Sequence, residues 1–204
     1  MEKFLKGLRW FFHSYIWLFV LGFLTDIISK NIIVANMNPG DSVPLIKGFL
    51  HITYRVNPAA AFSIGTGNNV ANLILYSVIA GAASIGIIFF YVKSNKKLHG
   101  VVKACLMLIL AGALGNLVDR LFYSPEYLHS THGGVVDFID FCGIWDAVFN
   151  IADSCIVISA LMLIVYFIVC EVKDRKSQSG EKVVVEKAVS KTEKEMQNDE
   201  NESK

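Results

Sequence analysis

Four long apolar runs divide this chain, at about residues 10–35, 70–92, 101–122 and 149–170. Each is close to the roughly 20 residues that carry an α-helix across a bilayer. Most charges fall between the runs or after the last one, so the pattern predicts four membrane-spanning helices. Lys3, Lys6 and Arg9 precede the first run, as basic residues precede a secretory signal peptide. That run is too long for such a segment and no small-x-small cleavage pattern follows it, so an uncleaved first span is expected. Between the first two runs the period changes. Leu50, Ile52, Tyr54 and Val56 alternate with His51, Thr53, Arg55 and Asn57, which predicts a strand with one apolar face within an outer, β-rich segment at about 40–66. From 172 to 204 the chain is rich in Lys, Glu, Ser, Gln and Asn, and Val183, Val184 and Val185 are its only apolar cluster. This segment is expected to be a disordered or loosely helical cytoplasmic tail behind a membrane domain covering 1–171.

Composition sharpens this picture in three ways. Hydrophobic residues make up 53% of the 204 and charged residues 18%, and the net charge of +1 gives no electrostatic case for nucleic acid. The four cysteines, Cys105, Cys142, Cys155 and Cys170, form no Cys-x-x-Cys pair, and three of them sit in or beside apolar runs as small hydrophobes do. The basic residues are asymmetric. Lys3, Lys6, Arg9, Lys93, Lys96, Lys97, Lys103, Lys173, Arg175 and Lys176 fall on one side of the membrane, and Lys47, Arg55 and Arg120 on the other. Both termini are therefore expected in the cytoplasm, with 36–69 and 123–148 outside.

Several polar residues stand where they are costly. Asp137 precedes the last run and Asp153 lies just inside it. From the residues alone Asp153 has two readings: a first-turn charge favoured by the helix dipole, or an acid/base partner of Asp137. Asn150 and Asp153 stand at i and i+3. Asp26 and Lys30, four apart in the first run, share a helix face and neutralise each other. Asn116, Asp119 and Arg120 share a face near the outer end of the third run, just after Ala111, Gly112, Ala113 and Gly115, small residues that let helices approach closely. Asp140 and Asp146 look like ordinary loop carboxylates. His129 and His132 lack a zinc-peptidase pattern, and Ser63 and Ser154 lack a partner base, so neither metal nor serine chemistry is expected.

Five ordered pieces together resemble the lipoprotein signal peptidase family, also called signal peptidase II. They are Asp26-Ile-Ile-Ser-Lys30, Asn57-Pro-Ala-Ala-Ala-Phe-Ser63, Gly112-Ala-Leu-Gly-Asn-Leu-Val-Asp-Arg120, Val135-Val-Asp-Phe138 and Phe149-Asn-Ile-Ala-Asp-Ser154. The resemblance implies an all-α membrane protein, a four-helix bundle with a small extracytoplasmic β cradle. It implies an aspartyl endopeptidase of the bacterial cytoplasmic membrane that cuts prolipoproteins just before a diacylglyceryl-modified cysteine. Asp137 and Asp153 would be the catalytic pair. Asn57, Asn116, Arg120 and Asn150 would contact substrate or orient the pair, and Asp26, Lys30 and Asp119 would support them. No cofactor or metal is implied. The partners expected are the prolipoprotein and membrane lipid, with the chain as a monomer. Three features depart from the family pattern: Ala59 stands where glycine is usual, the insert 123–134 is longer, and the charged tail is an extension. The competing reading is a non-enzymatic four-helix membrane protein with a proton or ion path. Acids gathered at one face of the membrane, rather than through its depth, speak against that path.

Overall fold

The computed structural model describes residues 2–57, 69–122 and 134–202. Ala59, residues 58–63 of the Asn57 block, His129, His132 and nearly all of the 123–134 insert lie outside the described residues. The elements, in order, are α1 (Glu2–His13), α2 (Ile16–Asn36), β1 (Ser42–Ile46), β2 (Leu50–Asn57), α3 (Asn69–Ser94), α4 (Gly100–Phe122), β3 (Val135–Asp140), β4 (Val148–Phe149) and α5 (Ile151–Glu202). Contacts divide the chain into two compact units, Met1–Met162 and Leu163–Lys204. The second is the remainder of α5. This helix continues through the charged tail, whose Lys, Glu and Gln residues have good intrinsic helix propensity.

Among the described residues four helices are long and apolar enough to cross a membrane: Ile16–Asn36, Ala71–Ser94, Gly100–Phe122 and Ile151–Lys176. The first expected run differs from its helix at the start. Tyr15 adopts a left-handed conformation (φ 60°), which ends α1 and starts α2 afresh at Ile16. The 21 residues of α2 rise about 32 Å, enough to cross the hydrocarbon core without help from α1.

Helix α4 packs against both α2 and α3. Its buried positions include Ala104, Ala111, Gly112, Gly115, Asn116 and Asp119. Close approach depends on small residues. A Cβ added at Gly22 would lie 3.2 Å from Ala111 Cβ and 3.2 Å from Cys155 Sγ, and one at Gly115 would lie 2.5 Å from Asp26 Oδ2. In a bilayer, where lipid tails are as apolar as leucine, such packing supplies much of the association between helices.

The strands form one antiparallel sheet in the order β1-β2-β3-β4. The β1–β2 turn uses Gly48 at φ +74°, and the loop between β3 and β4 uses Gly143 at φ +75°, values that favour glycine. The alternation expected over 50–57 is realised: Tyr54 is buried with Val136, Phe138 and Ile33, with Ile52 and Val56 beside them. In register, Arg55 pairs with Asp137 and Asn57 with Val135. This register carries the polar end of β2 to the middle of β3, beside the start of α5.

Candidate active site

Three fully buried ionisable groups form the base of the site. Asp26, Lys30 and Asp119 are each 0% exposed. The Lys30 ammonium reaches Asp26 Oδ2 at 2.7 Å, Asp119 Oδ2 at 2.9 Å and Asn116 Oδ1 at 3.0 Å, so its three protons meet three acceptors. The two carboxylates also bind backbone. Asp26 Oδ1 accepts the Ala152 N–H at the start of α5 (2.8 Å), and Asp119 Oδ2 accepts the Val136 N–H in β3 (3.0 Å). The triad from α2 and α4 thus fixes the two segments that carry Asp137 and Asp153. Such a buried cluster is weak evidence of net stability, but losing one member strands charge.

Asn150 precedes the first residue of α5 and caps it. Its Oδ1 accepts the Asp153 N–H at 2.8 Å, while Asp153 Oδ2 accepts the Asn150 N–H at 3.3 Å. This reciprocal arrangement is a capping box with Asn and Asp in the two positions. Asp153 Oδ1 accepts from Asn116 Nδ2 at 2.8 Å. The Asn150 amide donates to Asp137 Oδ1 at 2.7 Å and to Asn116 Oδ1 at 3.0 Å. Asn57 donates to Asp137 Oδ2 at 3.0 Å. One residue, Asn150, therefore holds both carboxylates.

The amide orientations are forced. Lys30 can only donate, so Asn116 must turn Oδ1 toward it, which leaves Nδ2 for Asp153. Asn150 must then turn its amide nitrogen toward Asn116 and Asp137, which leaves Oδ1 for the helix N–H. The buried cation, through two amides, decides which atom each aspartate meets.

Asp137 is 3% exposed. Burial and the neighbouring Asp153 charge push its carboxyl up to about 7, against the opposing hydrogen bonds from Asn57 and Asn150 and the Lys30 charge. Arg120 lies within electrostatic reach of Asp153, Asp119 and Asp137. Its Nη1 donates to the Asn116 carbonyl at 3.2 Å, and its guanidinium sits 5.7 Å from the centre of the Tyr76 ring. A groove of about 580 Å³ opens beside Asp153, lined by Ile139, Phe141, Trp145, Phe149 and Val157 among others. Chemically, two coupled carboxylates of which one holds a proton near neutrality can act together as acid and base.

All the residues singled out from sequence at this site, Asp26, Lys30, Asn57, Asn116, Asp119, Arg120, Asp137, Asn150 and Asp153, meet in this one constellation. Asp153 stands in the first turn of α5, where one oxygen serves the cap and the other accepts from Asn116. Asp140 is not a loop carboxylate. It ends β3 and accepts from Thr53 Oγ1 at 2.6 Å. Asp146 offers its carbonyl to Arg55 Nη1 at 3.4 Å. Missing from the sequence reading was the capping of α5 by Asp26, a contact between distant segments with no local signal. The Asn150–Asp153 box, by contrast, had one in its spacing. Among the described residues no group of three His, Cys, Asp or Glu is placed to hold a metal ion.

The family described as Signal peptidase (SPase) II matches residues 18–169. The chain belongs to the signal peptidase II family. A protein named lipoprotein signal peptidase from Fusobacterium nucleatum is 35% identical over 161 residues, covering 79% of this chain and 90% of that one. One of the same name from Clostridioides difficile is 33% identical over 161 residues, covering 79% and 99%. Two solved structures titled as a bacterial membrane enzyme are each 32% identical and each cover 76% of this chain. Their TM-scores are 0.64 and 0.62, and they are covered over 87% and 92% of their own lengths. The matched stretch of this signal peptidase II family member contains every residue of the constellation. Four membrane-length helices with a small antiparallel sheet make it a multi-pass membrane protease of that family.

Proposed function

We propose that Asp137 and Asp153 are the catalytic pair of an aspartyl endopeptidase that removes signal peptides from prolipoproteins. The observation that carries this reading is Asn150, which hydrogen-bonds both carboxylates, with Asp137 raised by burial and by its partner's charge. The pair holds one proton. The ionised member takes a proton from water, and the water oxygen attacks the scissile carbonyl. The protonated member polarises that carbonyl's oxygen, and a carboxyl proton then passes to the leaving nitrogen. The proton belongs to the pair rather than to either aspartate.

Asn57, Asn116 and Asn150 orient the pair. Arg120 meets substrate backbone or the charge that develops on the carbonyl oxygen, and Asp26, Lys30 and Asp119 are positioning groups. The membrane domain ends near 171, and the tail from 172 carries no chemistry. The substrate is a prolipoprotein whose cysteine carries a diacylglyceryl group, cut just before that cysteine. The groove beside Asp153 supports this reading, because its apolar lining offers acyl chains a place next to the carboxylates. The enzyme sits in the bacterial cytoplasmic membrane as a monomer, with both termini inside and the pair at the outer face.

The test is to incubate the purified protein with a prolipoprotein, with and without the diacylglyceryl group, and to map the products by mass. A single cut immediately before the lipidated cysteine, absent without the lipid, is expected. Cleavage elsewhere, or equal cleavage of the unlipidated form, overturns the substrate assignment.

A further inference from the structure

Helix α1 lies outside Ile16–Asn36, the helix after it that is long and apolar enough to cross a membrane. Helix α2 already crosses the hydrocarbon core, and the chain breaks before it at Tyr15. That corner is built. Ser14 is buried, its Oγ donates to the Phe11 carbonyl at 2.8 Å, and its own carbonyl accepts from the Tyr91 hydroxyl of α3. The Tyr15 ring lies against Gly100, where an added Cβ would come 2.5 Å from the Tyr15 hydroxyl oxygen. The corner therefore sits against Gly100 at the start of α4, beside a connection that carries Lys96 and Lys97 and is flanked by Lys93 in α3 and Lys103 in α4.

Along α1, positions 2, 6, 9 and 13 (Glu2, Lys6, Arg9, His13) form one helical stripe, flanked by Lys3. In the sequence, apolar residues recur at helical spacing at positions 4, 5, 8, 11 and 12. Leu5 is 50% exposed and Phe12 53%. A short helix with a cationic stripe and an apolar stripe, joined by a fixed corner to a transmembrane helix, fits the plane between headgroups and acyl chains.

We propose that α1 is an interfacial anchor that binds acidic phospholipid headgroups, its apolar stripe in the acyl region and its basic stripe, with the α3–α4 lysines, on the phosphates. Its occupant is lipid rather than protein, because a membrane surface already lies where α2 emerges and because the basic excess complements an anionic leaflet. The inference rests on the chain spanning a membrane and does not depend on the aspartate pair. Each Lys or Arg held near an anionic surface strengthens binding about fivefold.

Hydrogen–deuterium exchange of the full chain in nanodiscs tests it. One disc contains phosphatidylcholine alone, and the other one-third phosphatidylglycerol. Amides of residues 2–13 are expected to exchange at least about tenfold more slowly in the anionic disc. The variant Lys3→Glu/Lys6→Glu/Arg9→Glu is expected to erase that difference, while exchange in α4 stays unchanged. Equal exchange in the two discs, or a difference that survives charge reversal, overturns the proposal. Prolipoprotein cleavage by the same preparations separates the two readings: normal cleavage without lipid-charge dependence in α1 removes the anchor and leaves the proposed function standing.

Discussion

Asn150 and Asp137 concentrate the chemistry at the scale of single residues. Asp137 titrates near 7 because burial and Asp153 penalise its ionised form. As pH rises through that value the pair loses its one proton and cannot polarise the carbonyl. Cleavage is therefore expected to hold up to about pH 6 and to fall on the basic side, reaching half its value near pH 7. A kcat/KM profile flat to pH 9 contradicts this. Asn150→Ala removes the helix cap, worth about 1 kcal/mol, and frees Asp137 Oδ1, while the backbone N–H at 150 still holds Asp153. The expected result is at least about a tenfold loss of kcat with KM little changed, since an orienting contact matters most in the transition state. A variant that loses only KM shows that Asn150 binds substrate instead. These residues stand out in the sequence as polar groups in costly places; the sequence marks Asp153 as a first-turn charge, and the reciprocal cap with Asn150 emerges from the structure. The orientation of the amides was not legible, because it is imposed by Lys30, which lies 86 residues before Asn116 and acts through it on Asn150.

Among elements, the meeting of α2, α4 and the start of α5 decides whether the site exists. Gly115 allows α4 to lie against Asp26. Gly115→Ala is expected to destabilise the protein by about 1–3 kcal/mol through overpacking and to cut activity by displacing Asp26 from Lys30. Gly86→Ala, where an added Cβ meets nothing within 4 Å, is the matched control and leaves both unchanged. Thermal unfolding in detergent measures the difference, and equal effects of the two variants remove the packing explanation. The helices and the strand were legible because hydrophobic period and length determine them. The break at Tyr15 was not, since an apolar run continues across it in sequence and only a left-handed residue with a buried Ser14 interrupts the helix. Strands β3 and β4 were likewise hidden, because Val135–Phe138 of β3 are buried in succession and do not alternate, and β4 has only two residues.

For the whole molecule, the charge asymmetry and the location of the aspartates make one joint prediction. Cysteines placed in the β1–β2 turn at Gly48 and in the α3–α4 connection at Lys97 are expected to react with an impermeant thiol reagent from opposite sides of sealed cells, Gly48→Cys from outside and Lys97→Cys only after permeabilisation. Labelling of both from one side overturns the topology. The central claim, that Asp137 and Asp153 together cut the peptide, is tested most directly by kcat of Asp137→Asn and Asp153→Asn in a reconstituted prolipoprotein assay, with folding checked by thermal unfolding. Each is predicted to lose at least about 10²-fold while remaining folded. Near wild-type turnover in either folded variant would contradict it.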